Sequence, residues 1–129
     1  MRLCGLAIGA AMVIATQAAA SDARFEKSLQ KLEPAERLEQ LCDYTAMIQI
    51  RRESKDYRPD RAVANAMSEA QISKDTVQAK SGAFRSRGKW YSLAYTCTAN
   101  PEHMKVLTFR YTIGSEIPET KWASYGLWD

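Results

Sequence analysis

The stretch FRSRGKWYSLAYTC, Phe84 to Cys97, carries three basic residues and four aromatics in fourteen positions. Read as a surface, it is a platform on which the bases of a nucleic acid would stack. Read as a strand, it is a core element. Tyr91, Leu93, Tyr95 and Cys97 alternate with Trp90, Ser92, Ala94 and Thr96, the period of two that sends one set inward and the other outward. A second run repeats the pattern: Leu107, Phe109, Tyr111 and Ile113 alternate with Val106, Thr108, Arg110 and Thr112, after a loop containing Asn100-Pro101-Glu102-His103. One antiparallel register sets Cys97 opposite Leu107 and Tyr95 opposite Phe109, so both strands give an apolar face to the same layer.

Upstream, Gly88-Lys89 offers a two-residue hairpin turn with glycine first. That register puts Arg87 opposite Trp90, Ser86 opposite Tyr91 and Phe84 opposite Leu93. Val77 and Ala79 are apolar at odd positions while Phe84 falls at an even one, with Gly82 between them. The change of phase predicts a β-bulge near Ser81-Gly82. Earlier still, Arg58-Pro59-Asp60 has turn chemistry, and Val63, Asn65 and Met67 then alternate with alanines, which predicts a strand over those residues.

The segment EPAERLEQLCDYTAMIQIRRE predicts the clearest helix. Pro34 stands where a helix begins, Glu33 and Glu36 flank the first turn, and Leu38, Leu41, Cys42, Thr45 and Ile48 share a face. Arg51 and Arg52 sit at its C-terminal end, where the macrodipole favours positive charge. ARFEKSLQKL predicts a shorter helix before it, and ETKWASYGLWD a short closing helix with Trp122 and Tyr125 on one side and Gly126 near its end. The fold class is α+β: an antiparallel sheet of three to four strands, N-terminal helices on one face and a short C-terminal helix.

The chain opens with one basic residue, Arg2, an apolar run from Leu3 to about Ile14, and small residues Ala18, Ala19 and Ala20 before Ser21. This is the pattern of a secretory signal peptide over residues 1–20. It leaves a single small domain over 21–129, with no membrane span, in the periplasm or secreted. Net charge is +3, from 18 Lys and Arg against 15 Asp and Glu, and loss of Arg2 lowers it by one. That charge is spread over mixed-sign segments, so composition excludes a polybasic nucleic-acid binder. Cleavage also removes Cys4, leaving Cys42 and Cys97. In an oxidising compartment they are expected to pair, closing a loop of about 55 residues at a gain of about 4 kcal/mol. The alternative is two buried free thiols.

The segments YRPDR, AFRSRGKWYSLAYTC, EHMKVL and IGSEIPETKW, in this order and spacing, resemble the domain of unknown function 930, a group of exported alphaproteobacterial proteins. The resemblance runs from about Leu32 to Leu127. It implies an envelope location and transfers no catalytic residue.

Neither a Ser-His-Asp order, zinc-ligand spacing, a Gly-rich phosphate loop nor a paired-carboxylate pattern is present, and no cofactor is expected. His103, the single histidine, lies in a loop between Glu102 and Met104; the alternatives are a general base or, with Met104 and other methionines, a copper ligand, but one ligand pair does not define a metal site and it is read as a loop residue. The outer sheet face gathers Arg85, Arg87, Trp90, Ser92, Arg110 and Thr112, of which Arg85, Arg87, Trp90 and Arg110 are the candidates for holding an anion or a partner. The bland reading of this face is a solvated surface with Trp90 shielded by an arginine stem. Two function classes follow. One is a non-catalytic interaction module that binds an envelope protein or anionic envelope component through the arginine face. The other is a small-molecule module with a pocket between helix and sheet, lined by tyrosines.

Overall fold

The computed structural model describes residues 16–129; most of the segment read as a signal peptide, residues 1–15, lies outside the described residues. Helix α1 (Thr16–Gln30) is followed by, and contacts, helix α2 (Pro34–Glu53). Pro34 occupies the first turn of α2 after an extended Glu33, where its missing N–H costs no hydrogen bond. Among the described residues, no helix is long and apolar enough to cross a membrane.

Strands β1 (Pro59–Val63), β2 (Gln71–Ser73), β3 (Thr76–Ser86), β4 (Lys89–Ala99) and β5 (Val106–Glu116) build one antiparallel sheet in the order β1-β3-β4-β5, with β2 also paired to β3. The architecture is the α+β arrangement read from the sequence, with one or two more short strands than it suggested. β1 starts at Pro59 rather than after it, a position that a sheet edge tolerates because no ladder donor is needed there. The predicted alternation at Asn65 and Met67 is not strand. Asn65 instead accepts from the Ala70 N–H and donates to Glu39 on α2, tying an irregular segment to the helix.

The bulge in β3 is present: pairing with β4 shifts between Ala79 and Gly82. Gly82 has a packing reason to be glycine, since a Cβ there would stand 2.6 Å from the Val63 carbonyl oxygen. Both hairpin registers differ from the sequence reading by two residues. The β3–β4 turn is Arg87-Gly88, with φ of 51° and 77°, the backbone of a type I′ turn; it sets Arg85 opposite Trp90 and Phe84 opposite Tyr91. Likewise Cys97 pairs with Phe109, and Tyr95 with Tyr111. A slip of two keeps every side chain on its face, so hydrophobic alternation cannot detect it. Leu107 is a different matter. A second bulge pairs Ala99 with Val106, which turns Val106 toward the core and leaves Leu107 58% exposed.

The main core lies between α2 and the sheet: Leu38, Leu41, Cys42, Ala46 and Ile50 meet Val77, Phe84, Leu93, Tyr95 and Cys97. Burying each large apolar side chain contributes about 1.5–3 kcal/mol. A smaller core occupies the opposite face. There Ala83 and Trp90 pack with Ile117, Trp122 and Leu127 from the closing segment, where helix α3 (Glu119–Trp122) runs into a 3-10 turn ended by Gly126 at φ 70°.

Candidate functional site

The outer face of the sheet divides into a covered end and an open end. At the hairpin end, the closing segment lies on it. Trp90 is 0% exposed, its indole N–H donates to the Trp128 carbonyl at 2.7 Å, and the two rings meet edge to face at 5.2 Å. The expectation that Trp90 is open to a ligand is thus corrected. Its place on the outer face was right, but the chain returns to cover it.

Arg85 is also engaged. Its Nε and Nη2 donate to Asp60 Oδ1 and Oδ2 at 3.0 and 2.7 Å, and its guanidinium carbon stands 6.0 Å from the centre of the Trp90 ring. This bidentate bond holds the Asp60 carboxyl below the usual carboxylate range and raises the guanidinium's own value. Arg87 is exposed at the hairpin turn, on a backbone that favours glycine or asparagine. Arg110 is exposed on β5, away from that covered end.

The open end carries an unpredicted arrangement. Arg110, Lys80, Gln78, Thr96 and Thr112 surround a trough of about 460 Å³ floored by Ala94. Strand pairing assembles it: Gln78 lies opposite Thr96, Thr96 opposite Arg110, and Ala94 opposite Thr112. Among the described residues, neither Lys80 nor Arg110 has a carboxylate within ion-pair distance. Two cations beside amide and hydroxyl donors suit a carboxylate, phosphate or sulfate.

A family model described as Domain of Unknown Function (DUF930) matches residues 29–127, which takes in α2, all five strands and the closing segment. The chain belongs to the DUF930 family. No curated protein and no solved structure matches it. In this DUF930 chain the sequence segments that carry the resemblance fall on β1, the β3–β4 hairpin, the β4–β5 loop and the closing segment.

Cys42 and Cys97 form a disulfide, with Cα atoms 6.0 Å apart. It fastens α2 to β4 within the core. Beside it, Asp43 is only 8% exposed and accepts a 2.8 Å hydrogen bond from the Tyr95 hydroxyl. Burial pushes the Asp43 carboxyl up to about 8, while the Tyr95 bond works against that rise and nearby Glu39 adds to it. Burial and the adjacent Asp43 push the Tyr95 phenol upward. Perturbed acids often mark functional sites, yet this one lines neither the trough nor the helix-side groove and is paired with a hydroxyl donor, which is the arrangement of a core polar contact. The signal in the sequence was its spacing: Asp43, Ala46 and Ile50 share one side of the helix.

The DUF930 chain uses His103 as a clamp. It is 7% exposed, with Nδ1 2.7 Å from the Pro34 carbonyl and Nε2 2.9 Å from Asp75 Oδ1, joining the β4–β5 loop to the start of α2 and the β2–β3 turn. Arg37 reinforces this by donating to the carbonyls of Leu29, Leu32 and Glu102. The reading of His103 as an ordinary loop residue is therefore corrected. Among the described residues, no group of three or more His, Cys, Asp or Glu side chains is arranged to hold a metal.

The helix side of the molecule carries a second concavity, of about 750 Å³, between α1, α2 and the start of β5. Of the tyrosines expected to line a pocket between helix and sheet, Tyr44 alone is there; Tyr95 belongs to the core, Tyr91 stacks on Phe84, and Tyr57 meets both rings edge to face.

Proposed function

We propose that this chain is a small exported interaction module, without catalysis, that binds an anionic component of the cell envelope through the trough at the open end of its sheet. The observation that carries this reading is the convergence of Lys80 and Arg110 on Gln78, Thr96 and Thr112, with no carboxylate within ion-pair distance of either cation among the described residues. The N-terminal apolar run ending in small residues and the Cys42–Cys97 bridge support export to a periplasmic or extracellular location. Of the arginines first considered, Arg110 remains in the site. Arg85 belongs to the Asp60 pair, and Arg87 stands at the hairpin tip.

The test is binding of the mature chain to dextran sulfate at low and high salt, compared with Lys80→Ser/Arg110→Ser. The double variant should keep its thermal midpoint, because both side chains are exposed, and should lose most of the low-salt binding, since screening weakens exposed charge contacts at high salt. Arg87→Ser should bind as the wild type does. Binding unchanged in the double variant refutes the trough.

A second reading, a small-molecule module, is favoured by the concavity beside the helices. Its size lies within the range of about 300–1,000 Å³ that ligand sites occupy.

A further inference from the structure

The groove between the helices and the β4–β5 loop has a chemical character unlike that of the trough. Phe25 of α1 stacks on Tyr44 of α2 at 3.9 Å between ring centres, and these rings continue into Leu41, Ile48, Met104 and Val106. The result is a largely apolar surface on a face that an amphipathic helix ordinarily gives to the core. Its border is charged unevenly: Arg52 at the end of α2 and Lys105 before β5, against Glu26 on α1. Both cations are exposed. The loop that carries Lys105 is held in shape, since Asn100 Oδ1 accepts from the Met104 and Lys105 N–H groups at 2.9 and 3.1 Å.

An apolar floor with a net positive border complements one kind of ligand, a long apolar body ending in a single negative charge. We propose that this groove binds a free single-chain anionic amphiphile, a fatty-acid carboxylate, with its acyl chain along Leu41, Tyr44 and Ile48 and its head group drawn to the border cations. This deepens the small-molecule reading and rests on it, while being independent of the sheet-face trough. Membrane lipid is a different source of the same chemistry, and the groove's size favours one chain free in solution over a bilayer surface.

The experiment titrates the mature, disulfide-bonded chain with dodecanoate below its micellar concentration by calorimetry. Dodecyltrimethylammonium and dodecyl maltoside are the cationic and neutral probes, and flotation with anionic vesicles is the bilayer arm. Saturable binding of one dodecanoate per chain, weaker binding of the other two, and no vesicle flotation are expected. Arg52→Gln/Lys105→Gln should weaken dodecanoate binding about tenfold. Thr45→Trp, which fills the groove from its half-exposed wall, should abolish it; Ile48→Lys serves as a second blocking variant if the first does not fold. Equal binding of the three probes, blocked by Thr45→Trp or Ile48→Lys, overturns the anionic assignment and leaves the small-molecule reading standing. Absence of binding by any probe, or binding indifferent to the blocking variants, overturns both. Vesicle flotation without dodecanoate binding overturns the free amphiphile in favour of a membrane surface.

Discussion

The hydroxyl of Tyr95 on β4 donates a 2.8 Å hydrogen bond to Oδ1 of Asp43 on α2, one residue along the helix from the cysteine that bridges α2 to the same strand. Helix and sheet are thus joined twice in the core, once covalently and once by a polar contact whose strength depends on protonation.

That contact predicts a pH-dependent stability. The Asp43 carboxyl has a value of about 8 in the fold, against 3.8 for the free group, so the folded chain holds a proton that the unfolded chain releases between these limits. This group's contribution is whole below about pH 4 and is lost as pH rises to about 8. Asp43→Asn keeps an acceptor for Tyr95 and needs no proton. Its unfolding free energy at pH 8 should exceed that of the wild type by ~1 kcal/mol or more, a gap that closes toward pH 4. Denaturant titrations at the two pH values measure this; equal pH dependence in both proteins would show that Asp43 ionises freely.

The bridge predicts a larger effect without pH dependence of its own. Cys42 and Cys97 are separated by 55 residues, so Cys42→Ala/Cys97→Ala should lose roughly 4 kcal/mol, a large share of a small domain's stability. Thiol labelling of the denatured, unreduced mature chain should find no free cysteine.

His103 predicts a measurable loss where a loop histidine would show none. His103→Ala removes both contacts, to the Pro34 carbonyl and to Asp75, and should cost about 1–3 kcal/mol. His103→Asn, which tolerates the φ of 58° found there, should cost less than the alanine. Thermal unfolding of the pair separates the clamp from the backbone strain.

The covered end of the outer face predicts opposite outcomes for two neighbours. Trp90→Ala, in a fully buried position, should destabilise by about 3–5 kcal/mol. Arg85→Ser breaks a pair whose carboxylate partner is half exposed and should cost no more than about 1 kcal/mol. A stable Trp90→Ala protein would mean that the closing segment does not pack on the sheet.

The hairpin turn predicts a gain. Arg87 holds a φ of 51° beside Gly88, and asparagine is the residue that a type I′ turn prefers there. Arg87→Asn should raise stability by roughly 0.5–1 kcal/mol, read as a higher denaturation midpoint.

Local pattern carried a good deal of this protein. Alternation in β4 and β5, helical spacing over Leu38, Leu41 and Cys42, the phase change at Gly82 and the two cysteines on facing elements were all legible, because each reflects which side of one element meets the core; Thr45 and Ile48, read onto the same face, line the open groove instead. The hairpin registers were not, since a two-residue slip preserves every face and is decided by turn backbone and packing. Two burials escaped the sequence because they are made by distant segments. Trp90 is closed in by Trp128, thirty-eight positions away, and His103 is clamped by Pro34 and Asp75. The candidate site was legible in the same partial way. Arg110 was visible from its place in the alternation, whereas its companion Lys80 emerged only when the bulge and registers fixed which side chains of three strands stand together. A strand's sequence determines which of its faces is apolar; what returns to cover the other face is decided by the path of the whole chain, which no local period encodes.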